Sequence, residues 1–127
     1  MIDRIVVVSG TCTGADGNAA ATAYSPHVAG KVLAVHVGYV GDDAATTDVT
    51  LSDEADPAAE NIVSLTDNAT DTKIYPRRVT EKNDGTDILY TTGEEVFEPY
   101  VVHGRLKLTV AQANTGDVIT ATVWLEL

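Results

Sequence analysis

GRLKLTVAQANTGDVITATVWLEL, residues 104–127, alternates apolar and polar positions on both sides of one polar break. Before the break, Leu106, Leu108 and Val110 fall on one face. After it, Ile119, Ala121, Val123 and Leu125 do, opposite Thr120, Thr122, Trp124 and Glu126. A period of two is the spacing of a half-buried strand, because successive side chains leave a pleated backbone on opposite sides. The NTGD between the two halves is made of residues that turn a chain. The stretch predicts two amphipathic strands.

An earlier segment, HVAGKVLAVHVGY, echoes it at an offset of 74 residues, with Val28 matching Val102, Gly30 Gly104, Lys31 Arg105 and Val32 Leu106. Val49 and Leu51 match Val123 and Leu125 at the same offset. Each copy is a strand opened by glycine and a base, a polar turn, and a return strand ending Val-x-Leu. Two such hairpins bury their apolar faces against each other, one per sheet or stacked within one sheet. In the first copy Leu33, Val35, Val37 and Tyr39 form the uniformly apolar face and are the expected core side.

The rest of the chain continues in this manner. RIVVVS (4–9), AATAYS (20–25, ending at Pro26), NIVSLTD (61–67), TKIYPRR (72–78) and TDILYTT (86–92) read as further strands. Pro76 lacks the donor a ladder needs and places its strand at an edge or ends it there. NDG (83–85) is a turn, and ADPAAE (55–60) is a helical turn capped by Asp56 or a hairpin connection. The total is eight to ten short strands with no long helix between them. Val, Thr and Ala dominate a 44 % apolar composition with one Met, one Phe and one Trp. The chain is all-β, a single antiparallel β-sandwich or jelly roll over residues 1–127, with residues 1–10 an N-terminal arm or an edge strand.

Nineteen acidic and eight basic residues give a net charge of −11. Such a surface repels phosphate backbones and anionic lipid, which argues against nucleic-acid or membrane partners. Most of the positive charge sits in KIYPRRVTEK (Lys73, Arg77, Arg78, Lys82) and GRLK (Arg105, Lys107). One cysteine, Cys12, allows no intrachain disulfide. MIDRIVVVSG lacks the parts of a signal peptide, and no apolar run approaches the roughly 18 residues of a membrane span, so the chain reads as folding in a cytoplasm.

Motifs that carry chemistry are scarce. Neither G-x-S-x-G nor a phosphate-binding glycine loop occurs, and Cys12 has no histidine at a recognisable spacing. His27, His36 and His103 lack the spacing of a zinc site. Acidic turns at Asp42, Asp43, Asp53, Asp67 and Asp71 are weak candidates for calcium, whose oxygen shell loops at one end of a sandwich can supply. Acidic turns also arise simply because Asp hydrogen-bonds its own backbone in turns.

Read from about Val28 to Leu127, the order AGKVLAVHVGY, ATTDVTLSDEA, LTDNATDTKIYPRR, VVHGRLKLTVAQA, TATVWLEL resembles small β-sandwich proteins encoded among the head genes of tailed viruses. Those proteins sit on the outside of the capsid as decoration or cement proteins. The resemblance rests on strand order, the YPRR edge and the late GRL strand. It implies a non-enzymatic virion structural protein, without cofactor, that binds the major capsid protein on the outer capsid surface after synthesis in the host cytoplasm. It also implies a homo-oligomer, a trimer. Partner contacts are expected at the basic group Lys73, Arg77, Arg78 and Lys82 and at an N-terminal strand carrying Ile5, Val6 and Val7. The rival readings are a carbohydrate- or receptor-binding β-sandwich, with or without calcium, built on Tyr75, Tyr90, Tyr100 or Trp124, and an enzyme using the acidic loops.

Overall fold

The structure, a computed structural model, describes residues 1–40 and 43–127. Among them there is no α-helix and there are thirteen strands. In chain order these are β1 (Ile2–Val8), β2 (Ala19–His27), β3 (Gly30–Tyr39), β4 (Asp48–Asp53), β5 (Asn61–Leu65), β6 (Thr72–Ile74) and β7 (Arg77–Val79). The remainder are β8 (Leu89–Thr91), β9 (Glu94–Glu95), β10 (Phe97–Pro99), β11 (Val101–Val102), β12 (Arg105–Ala113) and β13 (Ile119–Glu126). One sheet runs β1-β13-β3, with β11 and β6 both on the far flank of β3; the other runs β2-β12-β4-β5. The two sheets form an antiparallel β-sandwich, and the four strands β7 to β10 lie outside them.

The alternation in residues 104–127 is realised residue by residue. Leu106, Leu108, Val110, Ile119, Ala121, Val123 and Leu125 are fully buried, and Val32, Val35, Val37, Val49 and Leu51 meet them. The repeated segments are not hairpins, however. β3 pairs with β13 and β12 pairs with β4, so each copy starts in one sheet and finishes in the other. Exchanging the two copies exchanges the sheets: β2 flanks β12 as β11 flanks β3. A chain that crosses a sandwich keeps its apolar face inward on both sides of the crossing, so the alternation reads the same as for a hairpin. The echo is therefore a two-fold pairing pattern in which every matched apolar position serves the core.

Two local irregularities change which side chains face inward. β3 carries an extra residue opposite β13: Ala34 pairs with Trp124 while Val32 pairs with Leu125. A bulge moves one residue across the pleat, so Val32 joins Val35 and Val37 in the core and Leu33, an expected core residue, turns away half-exposed. β2 runs on through Pro26 to His27, beyond the expected end. This is tolerated because β2 is an edge strand whose register against β12 shifts at that point. Ser25 Oγ there accepts the Leu106 N–H at 2.8 Å, supplying the acceptor the shifted ladder lacks.

N-terminal residues form β1, an edge strand in continuous antiparallel register with β13, from Ile2 opposite Glu126 to Val8 opposite Thr120. At the opposite edge, β11 pairs with Gly30–Lys31 and β6 with Val35–Val37, which leaves a gap beside Leu33 and Ala34. From this gap the segment 77–99 leaves the sandwich as an arm. Its root is the β7–β10 ladder, and Arg77 Nη1 donates to the Leu33 carbonyl at 3.1 Å. Further out, Ile88 N donates to Thr80 O, Val96 N to Ile88 O and Thr80 N to Val96 O, a closed triangle from which two small hairpins spread. One turns at residues 82–86 and the other at Thr92–Gly93. Every residue from 81 to 97 except Ile88 is exposed.

Candidate functional site

The residues expected to meet a partner fall into separate environments. In β1, Val7 is 2 % exposed and belongs to the core, and Ile5 is partly buried against it. The outward face of the same strand presents Ile2, Val6 and Val8, at 63, 49 and 50 % exposure. The basic group does not form one patch. The Lys73 ammonium lies over the Trp124 ring at 4.8 Å and the Tyr75 ring at 5.4 Å. Arg77 donates to the carbonyls of Leu33 and Pro76, and Arg78 pairs with Glu81 at 2.6 Å. Lys82 stands on the first hairpin turn of the arm, exposed and with no ion pair among the described residues.

The acidic candidates are likewise dispersed. Asp53 is buried, and its carboxylate ties two loops: Oδ1 accepts the Ala55 N–H and Oδ2 the His103 N–H, both at 2.9 Å. Asp71 Oδ1 accepts the Tyr39 N–H at 2.9 Å at the other end of the sandwich, and Asp67 is held through its N–H by Asp48. Asp42 lies outside the described residues. Among the described residues no three His, Cys, Asp or Glu side chains are grouped to hold a metal ion. Asp53 and Asp71 instead accept backbone hydrogen bonds, as turn residues do.

Asp43 differs from the others. Both its oxygens are buried, and neither has a hydrogen-bond donor at normal geometry. Burial, then the charge of Asp117, pushes its carboxyl up to about 6. The Tyr39 hydroxyl is buried nearby without a partner and is pushed up to about 12 by burial and by the charges of Asp43 and Asp71. Cys12 is fully buried, and burial with Asp117 and Asp43 raises its thiol, the reverse of what activates a nucleophile.

A cleft of about 210 Å³ opens between the 53–62 loop, β11 and the arm root, lined by Glu60, Ile62, Arg78, Glu98, Tyr100 and His103 among others. Burial and Glu60 raise the Tyr100 hydroxyl, and Arg78 opposes them. Arg78 Nε is buried there without an acceptor. Asp43, the carboxyl with the large upward shift, does not line this cleft. The four aromatic residues considered for sugar stacking are divided between it (Tyr100), the arm (Tyr90) and the Lys73 stack (Tyr75, Trp124), where the ammonium already covers ring faces.

The arm was the feature sequence reading missed. It exposes Leu89, Tyr90 and Phe97 at 50, 80 and 59 %. Its signal in the sequence is the pair of glycine turns, NDG and TTG, fewer than ten residues apart, which leaves segments too short to bury a face of their own. No protein-family model matches the chain, and no curated protein matches it in sequence.

Proposed function

We propose that the protein is a non-enzymatic virion structural protein that decorates the outer surface of a tailed-virus capsid and cements the lattice, acting as a homotrimer on the major capsid protein. The observation that supports this reading is the arm: a rigid two-sheet frame carries a pinned projection that adds almost nothing to its own core. Large apolar side chains held out on hairpins are contact surfaces, because leaving them in water is unfavourable. The strong negative charge keeps such a molecule soluble before assembly and opposes binding to nucleic acid or anionic membrane. Lys82, the exposed cation of the first hairpin turn, is the capsid contact in this reading. A carbohydrate- or receptor-binding module has less support, since its aromatic residues do not share one open face.

Co-sedimentation with undecorated expanded capsids, at the salt of the host, tests the proposal. Saturable binding at a fixed ratio to capsid subunits is expected, weakened about tenfold by Lys82→Glu. Absence of binding at every salt concentration would reject it.

A further inference from the structure

Two exposed apolar surfaces lie at opposite edges of one sheet. The first is the outward face of β1, where Ile2, Val6 and Val8 surround Arg4 and border Thr120, Thr122, Trp124 and Glu126 of β13. The second is the distal hairpin of the arm, residues 88–96, which exposes Leu89 and Tyr90 beside Glu94 and Glu95. β13 and β3 separate β1 from the arm root, a width of roughly 14 Å at the usual strand spacing. The arm leaves on the side away from β1. Within one chain the two surfaces stand apart.

Their charges are opposite. The distal hairpin carries two glutamates and no base. The β1 face carries Arg4, with Glu126 paired to Lys31 in the ladder beyond Ile2 and Lys73 over the Trp124 ring beside Arg4, three bases against one acid. Neither Arg4 nor either hairpin glutamate has an ion pair among the described residues. In a chain of net charge −11, a self-contact survives only where local charge is complementary. An apolar, acidic projection at one edge and an apolar, basic strip at the other fit successive copies in a ring.

We infer that the distal hairpin of one copy docks on the outward β1 face of the next, making a heterologous, head-to-tail contact that closes into a ring. The contact rests on the homo-oligomer of the proposed function and is tested without capsids, so a failed contact and a failed capsid interaction are read separately. Each copy offers one donor and one acceptor surface, and a closed ring leaves none unfilled.

The test is light scattering on the eluted full chain at roughly 0.1 mM, where a micromolar contact is filled. The native chain is expected at a multiple of its 13.4 kDa mass. Leu89→Ser with Tyr90→Ser, and separately Val6→Glu with Val8→Glu, should each give single chains. Mixed together, these two defective proteins retain one intact surface pair and should form a two-chain species. A single-chain native protein, a variant that stays fully assembled, or a mixture that remains single chains would each overturn the proposal. An independent check avoids disruptive substitutions: Val8→Cys and Tyr90→Cys proteins, mixed under oxidation, should crosslink to each other far more than Tyr90→Cys does to itself. Equal crosslinking in both cases would also overturn it.

Discussion

A methyl group placed on Gly104 would lie 2.5 Å from Asp53 Oδ1 and 2.5 Å from the Ala55 side chain. The glycine and the carboxylate are two halves of one joint, since Asp53 reaches past Gly104 to accept the His103 N–H. Gly30, its counterpart in the first copy, has a harder constraint: the added carbon would lie 2.4 Å from the Glu126 carbonyl oxygen, at a φ of +144°. At Gly104 the Asp53 carboxylate and the loop that carries Ala55 must give way. At Gly30 the obstacle is a backbone carbonyl held in a ladder, and the positive φ adds strain of its own. Gly104→Ala is expected to cost about 1–2 kcal/mol and Gly30→Ala about 3 kcal/mol or more. Denaturant melts of the two variants decide the order; equal losses would mean that the Asp53 joint is as stiff as the ladder.

Two buried serines complete ladders that the backbone leaves open. Ser25 Oγ accepts the Leu106 N–H at 2.8 Å, and Ser9 Oγ accepts the Ile119 N–H at 3.0 Å. Both serines are about 95 % buried. Replacing either by alanine strands a backbone donor away from water, at a cost of about 1–3 kcal/mol. Cysteine, a weak acceptor, should recover only part of it. Stability unchanged in Ser25→Ala would show that water reaches the bulge.

The strands of residues 104–127 were legible because both lie central in their sheets with one face on the core, so period and burial coincide. Leu33 was not legible, because the bulge that turns it outward depends on how β3 registers against a strand more than eighty residues away. The crossing of each repeat from sheet to sheet was hidden for a related reason: hairpin and crossing share one alternation, and long-range pairing alone separates them. Asp53 shows the limit for sites. A buried acceptor that joins two loops and a calcium ligand have the same composition, and the backbone donors that distinguish them come from His103, distant in sequence.

The Asp43–Asp117 pair makes stability depend on pH. Asp43 has a folded value of about 6 against an ordinary 3.8, so the native state holds a proton that the unfolded chain releases. Stability from this group is full below about pH 4 and falls as pH rises through 6. Asp43→Asn keeps the shape without the buried charge beside Asp117 and removes the dependence. It is expected to stabilise the protein at pH 7 by on the order of 1 kcal/mol, after discounting for solvent screening, and to change little at pH 4. Thermal melts of both proteins across this range give the comparison. A constant difference between them at all pH values would assign the effect to packing.

Arg77 is placed to set the direction of the arm. Its guanidinium reaches back to the carbonyls of Leu33 and Pro76, at 3.1 and 2.8 Å, across the gap between β6 and β11. The core does not need these bonds, so Arg77→Ala should lower global stability by no more than about 1 kcal/mol. Local opening is another matter, since the arm has few buried contacts to resist it. Amide exchange at Thr80, Ile88 and Val96, whose N–H groups close the triangle, is expected to quicken well beyond that of β13. Lysine at this position keeps a charge but not the two-carbonyl geometry, and should rescue only part of the protection. If exchange in the triangle is unchanged in Arg77→Ala, the β7–β10 ladder alone holds the arm, and its aim comes from Pro76, the one buried residue between β6 and β7.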